Sequence, residues 1–143
     1  MAEKIRLKLV TPGRLLLDEE VDEVTAPGAL GEFGVLPKHI SFLTLLEVGE
    51  MSYKQGGERH HLALSGGYAE VLDEVMTVLA GAAEYSDEID IERARAARER
   101  AEKRMAEKRM AELSQEDKEF AAAEAALRRA LVRLQVAGKE ARK

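Results

Sequence analysis

Ten of the eleven glycines and all three prolines of this chain lie before residue 87, and only Gly138 lies after it. These two residue types break helices and build turns, so their distribution divides the 143 residues into a turn-rich part and a part free to be helical. Charge changes at the same place. Residues 1–86 carry 7 Lys and Arg against 14 Asp and Glu, and residues 87–143 carry 15 against 13. The reading is of two units, 1–86 and 87–143, joined near Tyr85-Ser86-Asp87, in an α+β chain.

In the first unit Ile5, Leu7 and Leu9 alternate with Lys4, Arg6 and Lys8, the period of a half-buried strand. Further strand-like runs are Arg14–Leu17, Val21–Thr25, Phe42–Leu46, Met51–Tyr53, Leu62–Leu64, Tyr68–Leu72 and Val75–Leu79. They are punctuated by Thr11-Pro12-Gly13, Ala26-Pro27-Gly28, Gly31 to Gly34, Val48-Gly49, Gln55-Gly56-Gly57, Ser65-Gly66-Gly67 and Asp73-Glu74. Short strands at this spacing predict a sandwich or barrel of about 80–90 residues.

The second unit fits an antiparallel two-helix hairpin. One helix is expected from Asp87–Asp90 to about Leu113, with Ala94, Ala97, Ala101 and Met105 on one face. The other is expected from Ser114, where Ser114-Gln115-Glu116-Asp117 resembles a capping box, to a stop at Gly138. Its apolar positions are Phe120, Ala123, Leu127, Ala130, Leu131 and Leu134. A seam built mainly of alanine gains little on docking, at about 0.8 kcal/mol per buried CH₂. Both a fixed hairpin and one that opens to meet a partner fit this pattern.

Several chemistries are excluded. There is no cysteine, so disulfides, thiolate metal sites and cysteine nucleophiles are absent. Three histidines argue against a histidine-built metal site, and a net charge of −5 argues against nucleic-acid binding. The longest apolar run is about four residues, against the ~20 that span a bilayer. The N-terminus reads as neither signal nor transit peptide, which predicts a soluble chain. No P-loop, G-x-S-x-G or H-E-x-x-H occurs. The glycines of Gly28-Ala29-Leu30-Gly31-Glu32-Phe33-Gly34 have the wrong spacing for a dinucleotide fingerprint and read as a tight loop. Ser65 with His60 and His61 makes a poor triad, since Ser65 lies only four residues from His61 and the sequence shows no orienting carboxylate.

The arginines of the hairpin carry more information. Arg93 and Arg100 are two helical turns apart, and Arg129 and Arg133 are spaced i, i+4, so each pair shares a face. Guanidinium groups converging from two helices make an anion site. The alternative is a solvated face with local ion pairs, and the spacing alone fits both.

Val10-Thr11-Pro12, Gly31-Glu32-Phe33-Gly34-Val35-Leu36-Pro37-Lys38-His39, Ser65-Gly66-Gly67-Tyr68-Ala69-Glu70-Val71, Ile89-Asp90-Ile91-Glu92-Arg93-Ala94 and Leu127-Arg128-Arg129-Ala130-Leu131-Val132-Arg133-Leu134 occur in that order. In this combination the whole chain resembles the epsilon subunit of F-type ATP synthases, called delta in mitochondria. The resemblance implies a ten-stranded β-sandwich followed by two helices. It implies a non-catalytic central-stalk subunit that couples rotation to ATP synthesis in a proton-translocating enzyme. The implied partners are gamma, the c-ring and, through the hairpin, alpha and beta, with no nucleic acid and no direct membrane insertion. The implied location is the cytoplasmic face of a bacterial inner membrane, as part of F1. The hairpin is expected to extend and restrain ATP hydrolysis. No cofactor or metal is required, and no residue is catalytic. ATP is implied as a regulatory ligand, because Ile89, Asp90, Arg93 and Ala94 match the [Ile/Leu]-Asp-x-x-Arg-Ala motif. Glu84, Arg100, Arg129 and Arg133 fall on the remaining contact positions, and Glu32 and His39 on the region facing the c-ring. Without the resemblance, a free β-sandwich enzyme or small-ligand binder with a helical tail fits the same pattern. A coiled-coil scaffold is disfavoured by the lack of heptad leucines.

Overall fold

A computed structural model describes residues 3–39, 41–110 and 118–139. Eight strands form one continuous hydrogen-bonded sheet: β1 (Ile5–Thr11), β2 (Arg14–Val21), β3 (Glu23–Gly28), β4 (Gly31–Val35), β5 (Phe42–Gln55), β6 (Glu58–Leu72), β7 (Val75–Ala80) and β8 (Ala83–Tyr85). The order across the sheet is β2-β1-β7-β6-β5-β3-β4, and β8 pairs separately with β6. The expected ten strands are therefore corrected to eight among the described residues. The difference lies in β5 and β6, each of which was expected as two shorter strands. Their pairing keeps one register from Phe42↔Val71 to Gln55↔Glu58, interrupted only opposite Glu47 and Gly66. Past that point β6 changes neighbour, from β8 at Leu62–Leu64 to β7 at Gly67–Leu72. The two longest strands thus bend from one layer into the other, and cutting both at the bend would give ten.

Glycine permits that bend. At Gly67 φ is +150°, and a Cβ there would lie 1.9 Å from the Leu79 carbonyl oxygen. At Gly49 a Cβ would lie 2.6 Å from Pro27 Cβ, so β3 and β5 approach closely only because the side chain is missing. Ser65-Gly66-Gly67 and Val48-Gly49 are consequently strand interiors, where turns were expected. The Gly28–Gly34 segment is the β3–β4 hairpin with Ala29-Leu30 at its tip, where a glycine loop was expected. Folding the sheet over itself buries the inward residues of every layer. Ile5, Leu7, Leu9, Val21, Val35, Met51, Leu62, Met76 and Val78 are all fully enclosed in one core.

After β8 a single 3-10 turn (Ser86–Glu88) leads into α1 (Ile91–Met110), and α2 (Lys118–Ala137) returns antiparallel beside it. Each helix has 20 residues, about 30 Å at 1.5 Å per residue. The first helix starts later than the earliest expected position because Asp90 caps it. The Arg93 amide donates to Asp90 Oδ1 at 3.0 Å, and the Ala94 amide donates to the Asp90 carbonyl at 3.0 Å. The expected capping box at Ser114–Asp117 and the first helix's end at Leu113 lie outside the described residues.

The hairpin seam is small-sided, with Ala94, Ala101, Ala123 and Ala130 buried in it. Only its far end has bulk, where Met105, Phe120 and Leu127 cluster and the Arg109 guanidinium lies 5.7 Å from the Phe120 ring centre. Docking on the sandwich uses a second small cluster of Ala63, Ile89 and Val136, with Val132 and Ala137 at its edge. Three ion pairs flank it: Arg128–Glu47 at 3.2 Å, Arg133–Glu84 at 2.6 Å and Lys139–Glu50 at 3.4 Å. Glu50 also accepts, through its other oxygen, from the His61 ring, whose Nδ1 lies 2.8 Å away.

Candidate functional site

The helical period sends one row of arginines from each helix toward the same gap. Arg93 and Arg100 come from α1, and Arg129 and Arg133 from α2. The gap is a cavity of about 520 Å³ between the hairpin and the sandwich, within the range of small-ligand sites. Its floor is small: Ala97, Ala126 and Ala130 on the helices and Ala63 on β6. Glu84 enters from β8, whose place is fixed by the Ala63↔Glu84 pairing with β6.

Five of the eight residues that the resemblance assigns to the site, Glu84, Arg93, Arg100, Arg129 and Arg133, are thus brought together. The remaining three do different work. Asp90 is the N-cap of α1, and its Oδ1 is engaged by the Arg93 amide. Ile89 is buried against Ala63 and Val136, and Ala94 is fully enclosed in the helix seam. None of the three lines the cavity; they fix where α1 begins and how it sits.

The electrostatics are unbalanced. Arg133 Nε lies 2.6 Å from Glu84 Oε1, and Nη2 donates to Oε2 at 3.1 Å, a two-point ion pair. No carboxylate of the described residues pairs with Arg93, Arg100 or Arg129. Four guanidinium groups and one carboxylate therefore face one small-walled gap, which suits an anion with several charged oxygens. The sandwich side of this wall, Leu64, Ser65 and Ala82, was not foreseen. No periodicity marks it, because it belongs to strands distant in sequence from the helices.

Two surface regions of the sandwich stand apart from this cavity. One surrounds the β3–β4 tip. Leu30 is completely exposed there, Leu36 is 58% exposed, and Glu32 projects from β4 without a partner among the described residues. His39 lies at the edge of the same region, half-buried, with its ring 5.0 Å from that of Phe42. Its amide donates to the Leu36 carbonyl at 3.1 Å.

The second is a row across the outer face. Leu45, Tyr68, Leu79, Val10 and Leu15 are successive register partners on β5, β6, β7, β1 and β2. Directly paired residues share a face, so these five side chains stand side by side. Leu15, Leu45, Tyr68 and Leu79 are each about half exposed. A contiguous exposed apolar row of this kind is a candidate docking face. Sequence alternation places each residue outward but cannot order strands, so the row itself was not legible.

Among the described residues no group of three His, Asp or Glu is placed to hold a metal ion, and no helix is long and apolar enough to cross a membrane. Comparison with known proteins covers the whole chain. Residues 4–86 match the β-sandwich domain of the ATP synthase delta/epsilon chain, and residues 87–138 match its long α-helix domain. The chain is 57% identical to the ATP synthase epsilon chains of Geobacter metallireducens and Geobacter sulfurreducens, over 100% of both partners in each case. It is similar to a chain in the cryo-EM structure of the Euglena gracilis mitochondrial ATP synthase OSCP/F1/c-ring assembly. There the TM-score is 0.74 at 28% identity, covering 87% of this chain and 76% of that one. A chain of the Tetrahymena thermophila mitochondrial ATP synthase central stalk and c-ring shares the fold, with a TM-score of 0.53 at 17% identity over 61% and 70% of the two chains.

Proposed function

The chain belongs to the ATP synthase delta/epsilon family, and from that premise we propose that it is a central-stalk subunit whose hairpin restrains ATP hydrolysis under the control of bound ATP. It is a stalk component of the synthase and not its catalytic subunit. In this reading the row Leu15-Val10-Leu79-Tyr68-Leu45 docks on gamma, and the exposed tip with Leu30, Glu32 and His39 meets the c-ring. The assembly is a proton-driven synthase at the cytoplasmic face of a bacterial plasma membrane. The hairpin, when released, reaches alpha and beta.

The observation that carries the regulatory part is the cavity, which exists only while both helices are folded back on the sandwich. A ligand held there stabilises that state by RT ln(1 + [L]/Kd), about 2.7 kcal/mol at a hundredfold excess over Kd. Against a seam of alanines and two small apolar clusters, that is a large term. Arg93, Arg100 and Arg129 are placed to bind phosphate oxygens, and Asp90 holds the α1 terminus in position.

Deletion of residues 87–143 from the assembled enzyme tests the restraint. ATPase activity is expected to rise while the truncated subunit still binds gamma. An unchanged ATPase rate would refute it. Calorimetric titration of the isolated chain tests the ligand: ATP should release heat and raise the melting temperature of wild type, and Arg129→Ala should weaken binding by about 10- to 150-fold. No heat and no shift at millimolar ATP would make the arginines a solvated face.

A further inference from the structure

Ala63 and Glu50 are directly opposed on β6 and β5, and His61 stands two residues from Ala63 on the same face. Ala63 is buried against Ile89 and Val136, so His61 and Glu50 lie at the edge of the docked hairpin's footprint. Glu50 holds two partners there. Its Oε1 lies 2.8 Å from His61 Nδ1, and its Oε2 lies 3.4 Å from Nζ of Lys139, two residues past the end of α2. The His61 side chain is only 14% exposed. A carboxylate can only accept, so His61 Nδ1 carries a hydrogen and Nε2 is the atom that takes up a further proton.

We infer that His61 is a proton-operated release for the hairpin, because only the docked state sets Lys139 against a protonated imidazole. The inference rests on the hairpin being releasable, as proposed above. His61 and Glu50 both belong to the sandwich and stay paired in either state, whereas Lys139 leaves with α2. In the docked state a protonated His61 and Lys139 share one carboxylate beside the helix, two positive charges on one negative. After release the imidazolium keeps Glu50 to itself and meets water. The released state therefore binds the proton more readily. Docking is strongest above the histidine range and is weakened as the pH falls through it, about 6.5 for a free side chain.

The other charges around His61 do not reverse this sign. Arg59 stands on the same face of β6, held by Ser52 Oγ at 3.0 Å and by Glu23, and Lys54 shares that face from β5. All of these belong to the sandwich and are present in both states. On β8, Glu84 is taken up by Arg133 of α2. The 3-10 turn adds Asp87 and Glu88, and Glu88 stays with β8 through the Tyr85 amide, which donates to its Oε1 at 3.3 Å. The group that opposes the sign is the carbonyl end of α2, worth about half a negative charge. The full positive charge of Lys139 sits beside that end and outweighs it.

Native-state hydrogen exchange on the full chain tests this at about pH 7.5 and about pH 5.5, on either side of the histidine range, with protection corrected for the intrinsic rate at each pH. Protection of α2 amides is expected to be about tenfold lower at the acid value, and that of β1 amides unchanged. His61→Gln keeps a donor for Glu50 without a titrating ring, so its α2 protection should differ by less than about twofold between the two conditions. Lys139→Gln removes the opposing charge, so the ratio should shrink to about threefold. Equal protection at the two pH values in wild type, higher protection at the acid one, or an undiminished ratio in His61→Gln or Lys139→Gln overturns the role of His61 and leaves hairpin release standing. If α2 amides exchange no faster than β1 amides at either pH, the hairpin opens only with the whole fold, and both readings fall together.

Discussion

Val136 is fully buried where α2 meets the sandwich, packed with Ala63 and Ile89. Val136→Ala removes two methyl groups from that contact. At about 0.8 kcal/mol per group, plus a contribution from the space left behind, docking should weaken by about 1.5–2.5 kcal/mol. The helix itself is not weakened, because alanine is the better helix former by a few tenths of a kcal/mol. The loss therefore appears in the docking equilibrium, as a rise of about ten- to sixty-fold in the released population. The rest of the hold is the remainder of that small cluster and three ion pairs, of which Arg133–Glu84 and Lys139–Glu50 are half-buried. Native-state hydrogen exchange reads it. Amides of α2 should lose protection by that factor, since a released helix without tertiary support frays. Amides of β1, in the separate sandwich core, should not change. Leu131→Ala provides the contrast: it removes more apolar volume from the same helix, but Leu131 is 44% exposed, so α2 protection should hardly move. Unchanged protection in Val136→Ala, or equal loss in Leu131→Ala, would show that this seam does not hold the hairpin.

Three further outcomes follow from the sandwich. Gly67→Ala drives a Cβ to 1.9 Å from the Leu79 carbonyl oxygen and should destabilise the fold by about 3–5 kcal/mol in urea unfolding. Asp73 and Glu74 both have positive φ in the two-residue β6–β7 turn, so Asp73→Asn with Glu74→Gly should raise stability by about 1 kcal/mol in the same assay. The Arg6 guanidinium, through its hydrogen bonds, holds the Asp18 carboxyl below its ordinary 3.8, and the Lys4 ammonium does the same for Asp22. Both folded-state values are depressed, so the stability they confer is present above the ordinary value of 3.8 and is lost as the pH falls below it. Asp18→Asn with Asp22→Asn should flatten this acid limb in melting curves recorded against pH.

The parts of the fold that sequence makes legible are those governed by a local period. Ile5, Leu7 and Leu9 alternate because β1 has one face in the core, and Arg93 and Arg100 share a face because 3.6 residues make a turn. Ser65-Gly66-Gly67 carries the opposite lesson. A glycine pair reads as a turn, yet here it lets a strand pass close under β7 and change layers. Nothing in the residues from 58 to 72 distinguishes a bend from a break, since what decides is the Leu79 carbonyl on another strand. Glu84 was placed in the site by likeness to a family, but its bond to Arg133 spans 49 positions and has no local signature.

Two composition signals acquire a physical meaning only in the assembled fold. The acidic first unit and the basic second one meet where Arg128, Arg133 and Lys139 face Glu47, Glu84 and Glu50. The charge imbalance is thus a complementarity between units, legible as a sum and not as pairs. The alanines of the hairpin act in two ways at once. With so little side-chain volume, Ala94, Ala101, Ala123 and Ala130 give the helices a weak mutual hold. For the same reason Ala97, Ala126 and Ala130 leave about 520 Å³ open beside the arginines. Filling that space with larger apolar residues would strengthen the hairpin and close the cavity together, so under the proposed function one choice of residue serves both a releasable hairpin and an open anion site.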